Sequence, residues 1–453
     1  MTDCTTQPLL FASVDRRQLL ADFQGGDLTS DGGLPLLREV DRKIGLIDAL
    51  DAVIHDPRRP RLIRHQQRTL LAQRVLALAA GYEDLNDHQA LRNDTLLKDL
   101  TDRDLQYGPK EEDPLSSPPT LCRLENRVTR GDLVGMSRVL VETFIASHTT
   151  PPKELVLDFD ATDDAVHGDQ EGRFFHGYYD HYCFLPLYVT CGQQLLVAYL
   201  RPADIDGAKH SRAILHLLVR RFRQVWPNVK IIFRADSGFC RWKMMRSCDR
   251  RGVDYILGLA KNDILKRLAR RTMITARWLH RVTGQKQRLF EELCYAAKTW
   301  DRTRRVIAKA EHTDQGANPR FVVTTLAGDA QGLYDDLYCQ RGDAENRIKE
   351  QQLGLYADRT SCHGFLANQF RVLLSAAAYV LVETLRRVGL AGTELATAQV
   401  GTIRIKLFKI GGRIVRSVRR IVIHLASGFP LQNLLRRVLN NLRDWRCTPA
   451  AGP

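Results

Sequence analysis

The sequence lacks the features that mark secreted, membrane-spanning or zinc-binding proteins. Its first residues do not combine a basic start with an apolar stretch, so no secretory signal is visible. The longest apolar run, residues 372–382, is interrupted by Ser375 and is too short to span a bilayer. Ten cysteines occur without a C-x2-C pair, which predicts neither a zinc module nor a disulfide framework. We therefore expect a cytoplasmic protein with reduced thiols and no membrane partner.

Acidic residues are scarce beside basic ones, above all near the end of the chain. The sequence has 67 Lys and Arg against 52 Asp and Glu, a formal net charge of +15. From Gln399 onward, eleven basic residues accompany one acid, Asp444. This imbalance favours a polyanionic partner and says little about the fold. The apolar fraction of 44% excludes a disordered chain, and 453 residues should form more than one folding unit.

The order of helical and strand patterns predicts an α/β protein, in which a mixed sheet has helices on both faces. In the mainly helical first 150 residues, helices are expected near 31–44, 61–80 and 121–147, with an acidic, Pro-rich loop at 108–119. Strands are expected at 154–160, 184–191 and 194–200, then at 229–235 and 253–259. The strands at 155–160, 229–235 and 253–259 have the continuous apolar character of buried parallel strands.

Two aspartates follow such apolar strands. Asp160 ends the first strand and Asp236 follows the strand at 229–235. If these strands are parallel neighbours, both carboxylates emerge at the same edge of the sheet, about 4.8 Å apart. Carboxylates so placed can flank two divalent ions about 3.5–4 Å apart. Oxygen ligands without a His or Cys cluster favour Mg²⁺ or Mn²⁺.

Neither aspartate is decisive alone, because an Asp at a strand end is more often a turn residue or a helix cap. Asp158, Asp163 and Asp164 also compete with Asp160. Alternation places Asp158 and Asp160 on the same face of the strand, so the pattern leaves that choice open.

A third acid, Glu345, lies on a predicted helix. The residues that share its face at spacings of three or four are Tyr338, Arg341, Glu345, Lys349 and Gln352. In one interpretation they form a solvated ion-pair ladder worth tenths of a kcal/mol per pair. In the other, Glu345 completes a metal site while Arg341 and Lys349 hold phosphates. Tyr338 either stacks on a base or packs in the core.

Together these segments resemble DDE transposases of bacterial insertion sequences, and most closely the group around insertion sequence 1380 within the insertion sequence 4 type. The resemblance rests on Asp160-Ala161-Thr162, on Arg-Ala-Asp-Ser-Gly-Phe at 234–239 and on Tyr-x2-Arg-x3-Glu at 338–345. Further similarity covers 168–172, 177–180, 258–262 and 358–363. It implies an RNase H-like core, two Mg²⁺ (or Mn²⁺) ions on Asp160, Asp236 and Glu345, and the choice of Asp160 over Asp158. The family's usual Lys is Gln352 in this sequence, so Lys349 is expected to make that phosphate contact.

Basic side chains supply the expected DNA contacts. Arg64 and Arg68 belong to an arginine-rich stretch that either binds DNA or forms a solvated face. A denser cluster from Arg404 to Arg420 includes Arg413 and Arg416; an amphipathic helix on a membrane surface is possible there, but DNA is the better partner. Lys261, in the similar segment at 258–262, is assigned to DNA as well.

The sequence is therefore interpreted as a cut-and-paste transposase that binds terminal inverted repeats as a homodimer in a bacterial cytoplasm, associated with the nucleoid. The rivals are an RNase H-like nuclease or resolvase without strand transfer, and a non-catalytic DNA-binding regulator. The predicted segments are a helical DNA-binding domain at 1–150, the first part of the core at 151–263, a β-rich insertion at 264–334, the second part of the core with Glu345 at 335–395, and a basic helical region at 396–453.

Overall fold

A computed structural model describes residues 8–102 and 113–446, so residues 108–112 of the loop expected at 108–119 lie outside the described residues. The chain forms two compact units, each built from separate stretches. Among the described residues, the first comprises 8–43, 56–102, 113–124 and 384–446, and the second comprises Ile44–His55 and Glu125–Glu383. The five functional segments expected from the sequence stay a prediction.

Seventeen strands and sixteen α-helices follow one another along the described residues. The strands are β1 (Leu9–Val14), β2 (Arg17–Ala21), β3 (Leu28–Thr29), β4 (Glu154–Ala161), β5 (Asp164–Ala165), β6 (Phe174–His176), β7 (His181–Phe184), β8 (Leu187–Cys191), β9 (Gln194–Tyr199), β10 (Lys230–Ala235), β11 (Asp254–Leu259), β12 (Gln287–Tyr295), β13 (Arg304–Thr313), β14 (Gly316–Ala317), β15 (Arg320–Thr324), β16 (Gly412–Ser417) and β17 (Arg420–Leu425). The α-helices are α1 (Pro35–Ile44), α2 (Leu46–Val53), α3 (Gln67–Ala80), α4 (His88–Leu91), α5 (Thr95–Leu100), α6 (Pro118–Arg127), α7 (Arg130–Ala146), α8 (Ser211–Val225), α9 (Trp242–Arg250), α10 (Asp263–Leu268), α11 (Arg270–Thr283), α12 (Ala330–Gly332), α13 (Arg341–Lys349), α14 (Phe365–Thr384), α15 (Val400–Ile403) and α16 (Gln432–Asp444).

The second unit is built on one large mixed sheet with helices packed against it. Its strand order is β12-β13-β15-β11-β10-β4-β8-β9, with β14 paired to β13. The neighbours β4, β10 and β11 run parallel, and the other pairs run antiparallel. The expected parallel strands are thus confirmed, and β8 and β9 form an antiparallel hairpin. The parallel strands form because β10 reads as an almost unbroken apolar run that is buried on both faces.

The region expected to be a β-rich insertion begins with two helices, α10 and α11, which the sequence pattern did not predict. Its strands then continue the central sheet, since β15 pairs with β11. The strands at 287–324 therefore extend the sheet of the second unit and share its apolar core, in which Val306 and Val323 are fully buried.

The N-terminal part differs from the helical prediction at three places. An apolar hairpin, β1 and β2, precedes the helices. The helix expected at 61–80 begins only at Gln67, because residues 60–62 form a separate 3₁₀ turn. The helix expected at 121–147 is two helices, since the first ends at Arg127 and Thr129 caps the next in a capping box with Asp132.

The prediction of a helical C-terminal region is wrong for residues 412–425. They form the antiparallel hairpin of β16 and β17, in which Ile414 pairs with Ile423. Along β16, buried and exposed residues alternate with the period of a strand, and Ile414 is buried while Val415 is exposed. The membrane-surface helix weighed for this cluster is excluded by the same hairpin.

One helix, Phe365–Gly389, is long and apolar enough to cross a membrane. It contains the apolar run at 372–382, which alone is too short. Within the helix, 89% of the apolar window is buried inside the protein, as in the core helix of a soluble protein.

Candidate active site

The two aspartates predicted to share a sheet edge do so. β4 and β10 pair in parallel with Phe159 opposite Ala235, so the next residues, Asp160 and Asp236, leave the two strands side by side. Asp236 then caps a short 3₁₀ turn, and its Oδ1 accepts a hydrogen bond from the Gly238 amide at 2.8 Å. Both carboxylates therefore lie where the parallel strands end, the usual ligand position in open α/β sheets.

Arg341 connects the third acid to this edge. From the start of α13, its Nη2 lies 2.5 Å from Glu345 Oε1 and its Nη1 lies 3.4 Å from Asp160 Oδ2. Burial raises the pKa of the nearby Tyr338 hydroxyl, and the charge of Arg341 opposes that rise. One guanidinium group thus bridges Asp160 and Glu345, and the pair at residues 341 and 345 belongs to a cluster rather than to an isolated ladder on a helix surface.

The carboxyl group of Asp160 has a strongly shifted pKa. Burial raises its pKa to about 7; Arg341 opposes that rise, while the charges of Asp236 and Glu345 reinforce it. Such a shift is typical of a carboxylate that shares its site with other carboxylates. Asp236 and Glu345 are therefore each close enough to Asp160 to repel its charge.

Asp158 has a different environment. Its carboxylate is 2% exposed and accepts two hydrogen bonds from Arg234, at 2.5 Å from Nε and 2.7 Å from Nη2. Arg234 lies directly opposite on β10 and also donates to the carbonyl oxygen of Leu337. Asp158 is thus engaged in a buried ion pair that links two strands to the segment before α13.

The other competing aspartates also have partners away from the cluster. Asp163 lies 2.9 Å from His181 Nε2. Asp164 is buried and accepts a hydrogen bond from Thr360. Gln352, at the position of the family's Lys, donates to the carbonyl oxygen of Asp163 at 2.9 Å. The sequence pattern does not predict this contact, which fixes the chain just beyond Asp160.

The basic residues assigned to DNA have unequal surroundings. Lys349, Lys261 and Arg413 are exposed. Arg64 is largely exposed and lies 3.3 Å from Asp113. The guanidinium groups of Arg68 and Arg416 are already paired, with Asp102 and Asp99 respectively, so we leave these two out of the proposed DNA contacts.

A glycine allows Tyr338 to approach the acids. A Cβ atom on Gly258 would lie 2.5 Å from the Tyr338 hydroxyl and 2.9 Å from the Ser237 amide nitrogen. We expect Gly258→Ala to displace Tyr338 or the turn after Asp236, destabilising the fold by about 1–3 kcal/mol and lowering DNA cleavage more than tenfold.

Thermal melting and a cleavage assay on the purified variant measure both effects. Gly342→Ala is the matched control, because no atom lies within 4 Å of its Cβ and Ala favours the helix. Wild-type cleavage by Gly258→Ala would show that this packing does not position the site.

The donor set fits a hard divalent cation. Three carboxylates supply only oxygen. Burial raises the pKa of Asp160, the charges of Asp236 and Glu345 add to that rise, and a bound cation would relieve both effects. Among the described residues, no three His, Cys, Asp or Glu side chains are already close enough together to bind a metal ion. The neutralising charge at this edge comes from Arg341, which pairs with two of the three acids.

Comparison with known proteins gives one family. A model described as transposase DDE domain group 1 matches residues 11–447. Among solved structures, the chain is similar to a piggyBac transposase synaptic complex with hairpin DNA, with a TM-score of 0.44 and 11% identity over 84% of this chain and 79% of that one. No curated protein matches.

Proposed function

The chain belongs to the transposase DDE domain family, group 1, and we propose that it cuts the ends of a DNA element and joins them to new DNA. The observation that carries this proposal is the meeting of Asp160 and Glu345 on the Arg341 guanidinium, beside Asp236 at the end of the neighbouring strand. We further propose that the mixed sheet is RNase H-like and that the element resembles those of the insertion sequence 1380 group.

Asp160, Asp236 and Glu345 would hold two Mg²⁺ or Mn²⁺ ions. When bound, such ions activate an attacking hydroxyl and stabilise the leaving oxygen of a phosphodiester. The protein's own groups position the DNA, because phosphoryl transfer depends mainly on placement and on charge stabilisation. Water attacks first and frees a 3′-hydroxyl, which then attacks the target strand.

The basic residues at the site have separate roles in this proposal. Arg341 is held by two carboxylates, so its guanidinium group is oriented before DNA arrives and can then bind a phosphate. Lys349 and Lys261 are exposed and would contact the backbone as point charges. Such contacts give affinity and salt dependence rather than sequence choice.

The wider assignments follow from the transposition chemistry. Terminal inverted repeats would be bound as double-stranded DNA, and two ends held together suggest a homodimer on DNA. The N-terminal helical region, with exposed Arg64, is the proposed reader of the ends. A cytoplasmic, nucleoid-associated location fits a DNA substrate.

A cleavage and joining assay tests the function. Wild-type protein is incubated with Mg²⁺, a labelled end of the element and target DNA, and the products are separated by size. We expect both cleaved and joined products, and neither without Mg²⁺. Cleavage without joining would identify a nuclease or resolvase instead, and binding without cleavage would identify a regulator.

Mg²⁺ should also stabilise the folded protein in the absence of DNA. At pH 8 we expect a rise of a few degrees in the melting temperature, because a bound cation relieves the repulsion among the acids. At pH 6 the rise should be smaller, since Asp160, with a pKa of about 7, is then largely protonated. Differential scanning fluorimetry measures both values.

Two variants complete this test. Asp236→Asn should lose the Mg²⁺ response, whereas Asp263→Asn, which removes an exposed carboxylate elsewhere in the unit, should keep it. If Mg²⁺ raised the melting temperature equally in wild type and both variants, the cation would bind outside the proposed site.

A further inference from the structure

The C-terminal ribbon is the hairpin of β16 and β17 with its connecting turn at Val418 and Arg419. Its two strands are in register, so opposite residues share a face. One face carries three pairs, and these are Arg413 with His424, Val415 with Val422, and Ser417 with Arg420. The other face carries Ile414 with Ile423, and Arg416 with Ile421.

The second face fastens the ribbon to the first unit. Ile414 is 5% exposed. Arg416 donates to Asp99 at 2.6 Å and to the Thr95 carbonyl at 3.1 Å. At its base the ribbon is extended by β3, which pairs with β16. The ribbon is therefore anchored at one end and along one face.

The first face and the tip point away from this anchorage. All six residues of the first face are exposed, as are Val418 and Arg419 in the turn. Ile421, which belongs to the anchored face, is 52% exposed because it lies near the tip. The ribbon thus projects beyond the surface that holds its base.

All the charged residues of the ribbon are basic. The ribbon carries four arginines and no acid, and no Asp or Glu occurs anywhere from residue 395 to residue 443. Apolar Val415 and Val422 lie between the arginines of the outward face. A surface that only bound phosphates would not need apolar groups, because phosphates make no favourable contact with methyl groups. The methyl groups between the guanidinium groups therefore distinguish this face from a plain phosphate-binding patch.

The dimensions match a groove of duplex DNA. Six residues per strand extend about 20 Å, and the two strands lie about 4.8 Å apart. With side chains, such a ribbon fills the major groove, which is about 12 Å wide, and exceeds the minor groove, about 6 Å wide.

We propose that the C-terminal ribbon enters the major groove of double-stranded DNA and reads base edges there. Arg413 and Arg420 project towards guanine O6 and N7, and Val415 and Val422 contact thymine methyl groups. This inference rests on the proposed function, since it assigns part of the recognition of DNA ends to an element outside the acid cluster.

The test uses duplexes that the full-length wild-type protein selects from a random-sequence pool. Arg413→Gln and Arg420→Gln should each weaken binding to the selected duplex about tenfold or more, with little change for a scrambled duplex. N7-methylation of guanine in the selected site should inhibit the wild type, and the double variant should be insensitive to it.

Two control variants make the result specific. Arg436→Gln removes an exposed arginine of α16 in the same unit and should leave the selected sequence unchanged. Arg416→Gln should lower the melting temperature through loss of the Asp99 pair, without altering guanine contacts. The substitutions at 413 and 420 lie on exposed positions, and melting curves verify that each variant is folded.

Several outcomes would overturn the proposal. Equal weakening on selected and scrambled duplexes would reduce the ribbon to a phosphate contact, and interference by N3-methylated adenine alone would place it in the minor groove. If the double variant bound the selected duplex as tightly as wild type, the ribbon would have no role in DNA recognition. The same conclusion would follow if the double variant lost binding to anionic vesicles but not to DNA. Failure of the wild type to select any duplex would refute the proposed function together with this inference.

Discussion

Asp160→Asn is expected to abolish DNA cleavage and joining, by on the order of 10³-fold or more, while leaving the protein folded. The substitution removes one of the three carboxylates proposed to hold the metal ions but keeps the shape of the side chain. It should not cost stability, because the folded state raises the pKa of Asp160 to about 7 and so disfavours its charge.

The same pKa shift predicts a difference in pH dependence between the two proteins. Asp160 has a folded-state pKa above its ordinary value of 3.8, so in metal-free wild type it contributes stability at low pH. That contribution is lost as the pH rises from about 4 to about 7. The free energy of unfolding of Asp160→Asn should not decrease in this way as the pH rises. At pH 8 it should therefore equal or exceed that of wild type.

Asp158→Asn is the control, and it is expected to destabilise the fold. It leaves Arg234 buried without a full countercharge, which should lower the free energy of unfolding by about 3 kcal/mol or more. Urea denaturation and a cleavage assay, scaled to the folded fraction, separate the two effects. If Asp160→Asn kept wild-type cleavage while folded Asp158→Asn lost it, Asp158 would be the catalytic acid.

Arg341→Ala should reduce cleavage by about 10²-fold or more, with a smaller effect on folding. Among the described ion pairs, its guanidinium group is the only cation that contacts both Asp160 and Glu345, so its loss leaves the acids uncompensated. The substitution also removes the oriented fork proposed for a phosphate. Arg341→Lys keeps the charge without the fork and should restore activity only in part.

Arg173→Ala provides the comparison for this prediction. Arg173 pairs with Asp169 four residues away at 2.9 Å, so this variant loses an ion pair of the same spacing in the same unit. Its cleavage rate should stay near that of wild type. If Arg341→Ala behaved in the same way, the solvated ladder would be the correct interpretation of residues 341 and 345, worth tenths of a kcal/mol.

The sheet edge could be predicted because its two strands are continuous apolar runs that end in an aspartate. The strand pattern alone could not choose between Asp158 and Asp160, because both lie on one face of β4; the choice came from the family resemblance. What separates them is Arg234, which stands opposite Asp158 only once the register with β10 is set. Register is a property of the folded sheet and leaves no mark on either strand alone.

The C-terminal hairpin could not be predicted for a related reason. Its arginines at 413, 416 and 419 repeat every three residues, a spacing that fits a helix better than a strand, in which side chains alternate with a period of two. The turn at Val418 and Arg419 contains none of the Gly, Asn or Asp residues that usually announce a hairpin. The pairing of the two strands, and the anchoring of Arg416 on Asp99, decide the outcome.

The distance along the chain between the three acids also determines when activity can appear. The contacts between Asp158 and Arg234 and between Asp160 and Arg341 join residues 76 and 181 positions apart, and such non-local pairing makes folding slow. A chain emerging from the ribosome presents Asp236 roughly 110 residues before Glu345, a delay of roughly 5–20 s at ordinary rates of synthesis. A nascent or truncated chain can therefore build the central strands without gaining the power to cut DNA.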